Sequence, residues 1–222
     1  MAKRVVFFGD SICVGQHVSV HKTWVSRMSR AIHDGLDTTV GDEELIVINA
    51  SINGNTTRMA LERMPFDAQQ FGMDFMYTQF GLNDCNWWGT DKIVPRNTPA
   101  AYEANLKEII ERGRGAGAKK VAIGTNHGTT RFKPTHDGIT LTYEDSRKNY
   151  NDIVRKIAAD DPDLLLIDIA ALIEGDIASG AVALEGTLHS DGLHLSELGH
   201  NRYFHHMTQL LLPTIIKTIA GT

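Results

Sequence analysis

The sequence alternates short apolar runs with amphipathic stretches along its 222 residues, and this alternation restricts the fold more than any other feature. Each apolar run has the length of a β-strand and is followed by residues typical of turns, which indicates buried parallel strands. The five runs are Val5–Phe8, Leu45–Ile48, Phe75–Phe80, Val121–Gly124 and Leu164–Ile169. We therefore expect an α/β fold, a three-layer α/β/α sandwich around a mostly parallel five-stranded sheet.

Apolar residues at helical spacing predict the helices between these runs. The first helix carries Trp24, Val25, Met28 and Ile32 on one face and ends at Asp34-Gly35. Thr98 followed by Pro99 predicts an N-cap and a proline at the first helical position. A further helix contains Tyr150, Ile153, Val154 and Ile157. The last helix should begin near Ser196, with Pro213 bending or breaking it.

Composition restricts the class of partner and the compartment. The formal net charge is −5 and no basic stripe is present, which argues against a nucleic acid partner. The apolar run after Lys3-Arg4 is too short for a signal peptide or a membrane span. Cys13 and Cys85 are the two cysteines, so we expect free thiols, near each other in space, and a cytoplasmic location.

The residues that directly follow the strands predict the position of a site. In open α/β sheets, ligands bind at the carboxyl ends of the strands. The first four predicted strands are followed by Gly9-Asp10-Ser11, Asn49–Asn55, Gly81–Asp84 and Thr125–His127. Turn formation explains each of these segments alone. Their coincidence at four strand ends favours hydrogen bonding to a ligand.

Ser11, Asp191 and His194 are the residue types of a nucleophilic hydrolase. A serine hydroxyl is a weak nucleophile at neutral pH and needs a base to take its proton, with a third group to orient that base. Ser11 follows the first strand, and the candidate acid, Asp191, stands three positions before the candidate base, His194. This order differs from the Gly-x-Ser-x-Gly elbow of α/β-hydrolases and argues against that class.

Four motifs in one order resemble the blocks of the SGNH (GDSL) hydrolases: Gly9-Asp10-Ser11, Asn53-Gly54-Asn55, Gly81-Leu82-Asn83-Asp84 and Asp191-Gly192-Leu193-His194. The resemblance covers almost the whole chain and implies a single SGNH hydrolase domain over residues 1–222, with the flavodoxin-like sandwich of that family. It implies Ser11 as nucleophile, His194 as base and Asp191 as its orienting acid. It also implies an oxyanion hole of the Ser11 and Gly54 N–H groups and the Asn83 amide. No cofactor is required.

Substrate contacts are less sharply predicted. Trp87 and Trp88 are candidates for a substrate wall, with core or lid packing as the alternative. Asn126 and His127 are candidates because they follow the fourth strand. Arg58 is expected on the helix surface after Gly54, with binding of an anionic group as the alternative. The polar segment 128–142 is a candidate lid or a long solvated connection.

Several histidines lie close together near the carboxyl terminus and could in principle form a metal-binding site. The spacing of these residues matches no zinc signature, so we expect no metal site: His189, Asp191, His194, His200, His205 and His206. His200, His205 and His206 should fall on different faces of one helix.

The leading hypothesis is a serine esterase acting on a small-molecule ester, such as an acyl sugar or a short-chain ester, through an acyl-enzyme intermediate. Acyl transfer to a sugar hydroxyl is the first alternative, because the acceptor depends on pocket shape. Lipase or thioesterase activity is favoured if residues 87–94 form an apolar groove. The alternative outside enzymes is a flavodoxin-like small-molecule binding domain, although the chain lacks a glycine-rich phosphate fingerprint.

Overall fold

The computed structural model describes residues 2–36, 44–90, 93–134 and 137–221. Its five strands are β1 (Lys3–Gly9), β2 (Leu45–Asn49), β3 (Phe75–Gln79), β4 (Lys120–Gly124) and β5 (Leu164–Ile167). They form one sheet in the order β2-β1-β3-β4-β5, and every neighbouring pair is parallel. The predicted five-stranded α/β sandwich is confirmed, and β3 is the central strand, with β1 and β4 on either side of it.

Helices cover both faces of the sheet. They are α1 (Ser11–Val14), α2 (Trp24–Leu36), α3 (Thr57–Asp67), α4 (Pro99–Gly115), α5 (Tyr143–Ala159), α6 (Ile169–Ala178), α7 (Leu184–Thr187) and α8 (Glu197–Ala220). Short 3₁₀ turns occupy Val20–Lys22 and Gln69–Phe71. Helix α8 contacts α2 and α6 in one layer, while α4 contacts α3 and α5 in the other.

Aromatic side chains fill the core beneath the amino-terminal strand. Trp24 packs edge-on against Phe7 and Tyr77, with ring centroids 5.6 and 5.5 Å apart. Its indole N–H donates to the carbonyl oxygen of Ile12 at 2.9 Å. Its backbone N–H donates to Nδ1 of His200 on α8 at 3.2 Å. These two hydrogen bonds connect α2 to α8 and to α1, the short helix that begins at Ser11.

Several predicted boundaries differ from the structure. The fifth strand ends at Ile167, because Asp168 is the N-cap of α6 and accepts from the N–H of Ala171. Pro213 does not break the last helix, which continues to Ala220. Proline removes one N–H and one helical hydrogen bond, but Leu211, Ile215 and Ile219 are buried on either side and hold the helix by packing. The N-cap at Thr98 is as predicted, and the last helix begins where it was expected, with Ser196 as its N-cap.

Within the described residues, no helix is both long enough and apolar enough to cross a membrane.

Candidate active site

Ser11 lies at the point where β1 turns into α1. Asp10 caps this short helix, accepting from the N–H of Ile12 at 3.0 Å. The turn needs glycine at position 9, because a Cβ atom there would lie 2.6 Å from Sγ of Cys13 and 2.8 Å from the carbonyl oxygen of Gln79. Ser11 lies at the carboxyl end of β1, where 5% of the residue is exposed.

Asp191 and His194 are held in one turn before α8. Oδ1 of Asp191 accepts from the N–H groups of Leu193 and His194, both at 3.0 Å, and Oδ2 lies 2.5 Å from Nδ1 of His194. Although burial raises the pKa of Asp191, the hydrogen bonds from the His194 ring and the two N–H groups lower it to about 2. The carboxylate is therefore ionised at neutral pH and accepts a hydrogen bond from the Nδ1–H group of His194.

His194 also reaches Ser11. Its Nε2 lies 2.9 Å from Oγ of Ser11, although 183 positions separate the two residues in the chain. Because Nδ1 carries the proton donated to Asp191, Nε2 is the acceptor for the serine hydroxyl. The three residues predicted as a triad are thus joined in one line of hydrogen bonds.

Gly54 and Asn83 lie close together, and Asn83 is also hydrogen-bonded to the turn that carries Ser11. Nδ2 of Asn83 donates to the carbonyl oxygen of Asn55 at 3.1 Å and makes a longer contact, 3.4 Å, with Oδ2 of Asp10. Gly54 has a left-handed backbone, φ 75°. Among the described residues, the backbone N–H groups of Ser11 and Gly54 have no hydrogen-bond acceptor. Two donors are therefore available to a ligand.

Arg96 supports both of these residues and was not predicted. Its guanidinium donates to Oδ1 of Asn83 at 3.3 Å and to the carbonyl oxygen of Gly54 at 3.1 Å. The same group lies 4.2 Å from the ring centroid of Trp88. No local pattern marks Arg96, which stands in an irregular segment after the third motif, so only the tertiary contacts identify it.

Two buried carboxyl groups lie beneath the site. Burial, together with the neighbouring charge of Asp84, raises the pKa of Asp10 to about 7, against weaker lowering by hydrogen bonds from the Ile12 N–H and Asn83. Asp84 accepts from the N–H and hydroxyl of Thr57 at 2.9 and 2.6 Å, and from Asn97 at 2.6 Å. Asp84 thereby links the third motif to the start of α3.

Asn126 and His127 are not open to a ligand, contrary to the prediction from the strand-end rule. Each is 1% exposed. Nε2 of His127 donates to the carbonyl oxygen of Leu193 at 2.8 Å, and Nδ1 accepts from the hydroxyl of Tyr203 at 2.6 Å. Burial lowers the pKa of His127 to about 3, so the ring stays neutral. Through Leu193, the His127 ring contacts the turn that carries Asp191 and His194.

Asn126 serves the interior in the same way. Its Nδ2 donates to the carbonyl oxygen of Phe80, and its backbone N–H donates to Asn151, both at 2.8 Å. The two tryptophans differ in exposure. Trp87 is 7% exposed and belongs to the interior, whereas Trp88 is 54% exposed and lies beside Arg96. Of the four candidates for substrate contact, Trp88 is therefore the one whose side chain is open to a ligand.

The described part of segment 128–142 contacts the triad turn. The N–H of Thr130 donates to the carbonyl oxygen of Gly192 at 3.0 Å, and the Arg131 guanidinium donates to the carbonyl oxygen of Asp191 at 3.3 Å. Thr129 is tied to Glu144 by two further hydrogen bonds, 2.9 and 3.0 Å. Residues 128–134 therefore hold the turn that carries Asp191 and His194 by hydrogen bonds. The lid hypothesis also concerns positions 135 and 136, which lie outside the described residues.

One cluster among the described residues has the geometry to hold a metal ion: ligand atoms of His17, Asp191 and His194 lie within 4.8 Å of one another. Two of these three residues are already bound to each other in the triad. His200 and His206 are structural instead, contacting the Trp24 N–H and the carboxylate of Asp176. Cys13 and Cys85 are both buried and free.

Comparison with known proteins places this arrangement in a family context. The sequence model of the GDSL-like Lipase/Acylhydrolase family matches residues 7–202. An arylesterase from Vibrio mimicus is 29% identical over 123 residues, which is 55% of this chain and 54% of that protein. The chain therefore matches about half the length of its curated relatives.

Solved structures share the fold over nearly the full length. A lipase/acylhydrolase from Enterococcus faecalis superimposes with a TM-score of 0.65 at 24% identity, covering 99% of this chain and 96% of that one. An acetylxylan esterase from Geobacillus stearothermophilus gives a TM-score of 0.69 at 18% identity, covering 94% of each chain. At these identities, the likeness establishes the fold.

Proposed function

Because the chain belongs to the GDSL-like lipase/acylhydrolase family, we propose that it is a serine esterase that hydrolyses carboxylic esters through an acyl-enzyme intermediate. One observation carries the proposal: Oγ of Ser11 lies 2.9 Å from Nε2 of His194, whose Nδ1 lies 2.5 Å from Asp191. Such a line of groups converts a serine hydroxyl into a nucleophile at neutral pH. The predicted roles of the three residues rest on this geometry.

The reaction has two halves. Ser11 Oγ attacks the ester carbonyl carbon while its proton passes to Nε2 of His194, and the ionised Asp191 stabilises the resulting imidazolium. The tetrahedral intermediate collapses, the alcohol leaves with the proton from Nε2, and an acyl-serine remains. Water then attacks the acyl group with His194 again as base, which releases the carboxylic acid and restores Ser11.

The negative charge on the carbonyl oxygen needs donors that are already in place. The N–H groups of Ser11 and Gly54, which lack acceptors among the described residues, are two such donors. Nδ2 of Asn83 is the third, since one of its two hydrogens has only the 3.4 Å contact with Asp10. Arg96 acts here as a positioning residue. Its guanidinium donates to the carbonyl oxygen of Gly54 and to Oδ1 of Asn83, which holds the donor groups of both residues in place.

The substrate we propose is a small-molecule ester, such as an acetyl or short acyl group on a carbohydrate or metabolite. The Geobacillus protein with this fold is an acetylxylan esterase, which makes acetylated sugars a first choice for testing. A lipase or thioesterase activity has some support in the exposed apolar side chains of Trp88 and Val94, 54% and 47% exposed. Acyl transfer to a sugar hydroxyl would use the same acyl-enzyme. A cytoplasmic location stays a prediction.

The test is a panel of 4-nitrophenyl esters with increasing acyl length and of acetylated sugars, assayed with and without a free sugar as acceptor. We expect release of the free acid, fastest with short chains, and no measurable turnover by the Ser11→Ala variant. Ser51→Ala, a change of a nearby serine outside the triad, should keep its activity. Turnover by a folded Ser11→Ala variant at the wild-type rate would exclude the mechanism, and acylated sugar as the main product would assign acyl transfer instead.

A further inference from the structure

We propose that the cavity beside Gly54 and Asn83 binds a carboxylate of the ester substrate, and that Arg58 is the residue that recognises it. The inference rests on the proposed esterase function and names the substrate class for that site. The cavity measures about 570 Å³, and its walls include Arg58, Met59, Trp88, Val94 and Arg96. Its size is within the range of small-molecule sites.

The cavity adjoins the proposed oxyanion hole through a single side chain. Arg96 lines the cavity and also donates to the carbonyl oxygen of Gly54 at 3.1 Å and to Oδ1 of Asn83 at 3.3 Å. Our inference is that a substrate whose ester carbonyl lies at Gly54 and Asn83 extends its remaining part past Arg96 into the cavity.

The charge of the cavity selects an anion. Two arginines line it, and no described aspartate or glutamate does. Arg58 is exposed at the beginning of α3, and no ion pair joins it to any acidic side chain in the described part of the chain. Within the described residues, Arg58 therefore places at the cavity wall a guanidinium that no acidic side chain neutralises. A guanidinium binds a carboxylate through two parallel hydrogen bonds, which makes arginine specific for that group.

The remaining walls suit the body of the same substrate. Met59, Trp88 and Val94 are 41%, 54% and 47% exposed, although side chains of this size are usually buried in a soluble protein. An aromatic ring and two aliphatic groups next to the Arg58 guanidinium match a ring or a short chain that ends in a carboxylate. Such a group can belong to either half of the ester, a hydroxy acid on the alcohol side or a dicarboxylic acid on the acyl side.

Two matched pairs of esters distinguish these sources. On the alcohol side, 4-acetoxybenzoate is compared with the neutral 4-acetoxybenzamide. On the acyl side, the 4-nitrophenyl monoester of adipic acid is compared with its methyl-capped form. For wild type, we expect kcat/KM to favour the charged member of at least one pair by about tenfold, the scale of one charged hydrogen-bonded contact. The pair that shows the preference identifies the half that enters the cavity.

The variant Arg58→Gln should abolish that preference while its kcat/KM for the neutral esters stays near the wild-type value. Arg58→Lys should keep part of it. Arg30→Gln is the matched control, because it removes the same charge from an exposed position on α2 and should leave the preference intact. The inference is overturned if wild type shows no preference in either pair, or if Arg58→Gln keeps it. If none of the four esters is hydrolysed in a Ser11-dependent manner, the esterase function itself fails.

Discussion

At the scale of single residues, Asp10 combines a structural role with an unusual protonation state. Its carboxyl group caps α1 through the Ile12 N–H and contacts the Asn83 amide, yet the residue is fully buried. Burial, with the charge of Asp84 nearby, raises its pKa from 3.8 to about 7. The folded protein therefore keeps a proton on Asp10 at pH values where the unfolded chain has lost it.

This linkage predicts a pH dependence of stability. A raised carboxyl pKa contributes stability that is fully present below about pH 4 and is lost as the pH rises through about 7. Between pH 5 and pH 8, Asp10 should reduce the free energy of unfolding by roughly 3 kcal/mol, at about 1.4 kcal/mol per pKa unit. Urea unfolding of wild type and Asp10→Asn at both pH values measures the difference, since the variant lacks the titrating group.

Asp34→Asn, which changes an exposed aspartate on α2, is the control for general charge effects. It should follow the wild-type profile. If the difference in unfolding free energy between wild type and Asp10→Asn is the same at pH 5 and pH 8, Asp10 is ionised in the folded protein throughout and the assignment of its protonation state is wrong.

At the scale of elements, the turn between α7 and α8 sets the geometry of the acid and the base. Gly192 has a left-handed backbone, φ 70°, and a Cβ atom at this position would lie 2.2 Å from Oγ1 of Thr130. The neighbouring segment therefore fits against the turn only because position 192 has no side chain. His127 and Arg131 bind the carbonyl oxygens of Leu193 and Asp191 from the same side.

We predict that Gly192→Ala lowers both stability and activity. The left-handed backbone alone costs about 1–2 kcal/mol with a side chain present, and the contact with Thr130 adds to it by displacing the turn. Gly180→Ala separates the two effects, because Gly180 is also left-handed, φ 75°, but has open space around it. Thermal unfolding should show a loss for both variants, larger for Gly192→Ala.

Only Gly192→Ala should lose kcat, by at least tenfold, since a displacement of His194 of even 1 Å weakens the proton transfer. Equal activity of the two variants would mean that the packing of Thr130 against the turn does not position the triad.

Local patterns in the sequence predict the elements well and the supports of the site poorly. The strands follow from apolar runs, the N-cap at Thr98 from residue type, and the start of the last helix near Ser196 from its apolar spacing, because these signals lie within a few neighbouring positions. Asp191 and His194 were found through an ordered set of motifs. Arg96 and Thr130 carry no such motif, and the burial of His127 does not follow from its position after a strand, because each of the three residues contacts a segment far away in the chain. No pattern within one segment encodes such a contact.

At the scale of the whole molecule, the fold brings together two parts of the chain that are 183 positions apart. Strand β1 places Ser11 at the carboxyl end of the sheet, and α8 packs on α2 and on the 3₁₀ turn before it, which fixes the turn carrying His194. The contact between His200 and the Trp24 N–H joins these elements near the site. The nucleophile and its base therefore exist as a pair only in the folded protein.

The most direct test of the central claim is covalent labelling of the folded protein with a fluorophosphonate probe, read out by intact mass and peptide mapping. We predict one label for each chain, on the peptide that contains Ser11, no label on Ser11→Ala, and a rate at least a hundredfold lower for His194→Ala. Protein unfolded in urea should not react, because the pair is then separated. Failure of the folded wild type to react, or labelling of Ser11→Ala at the wild-type rate, would contradict the assignment of Ser11 as the nucleophile.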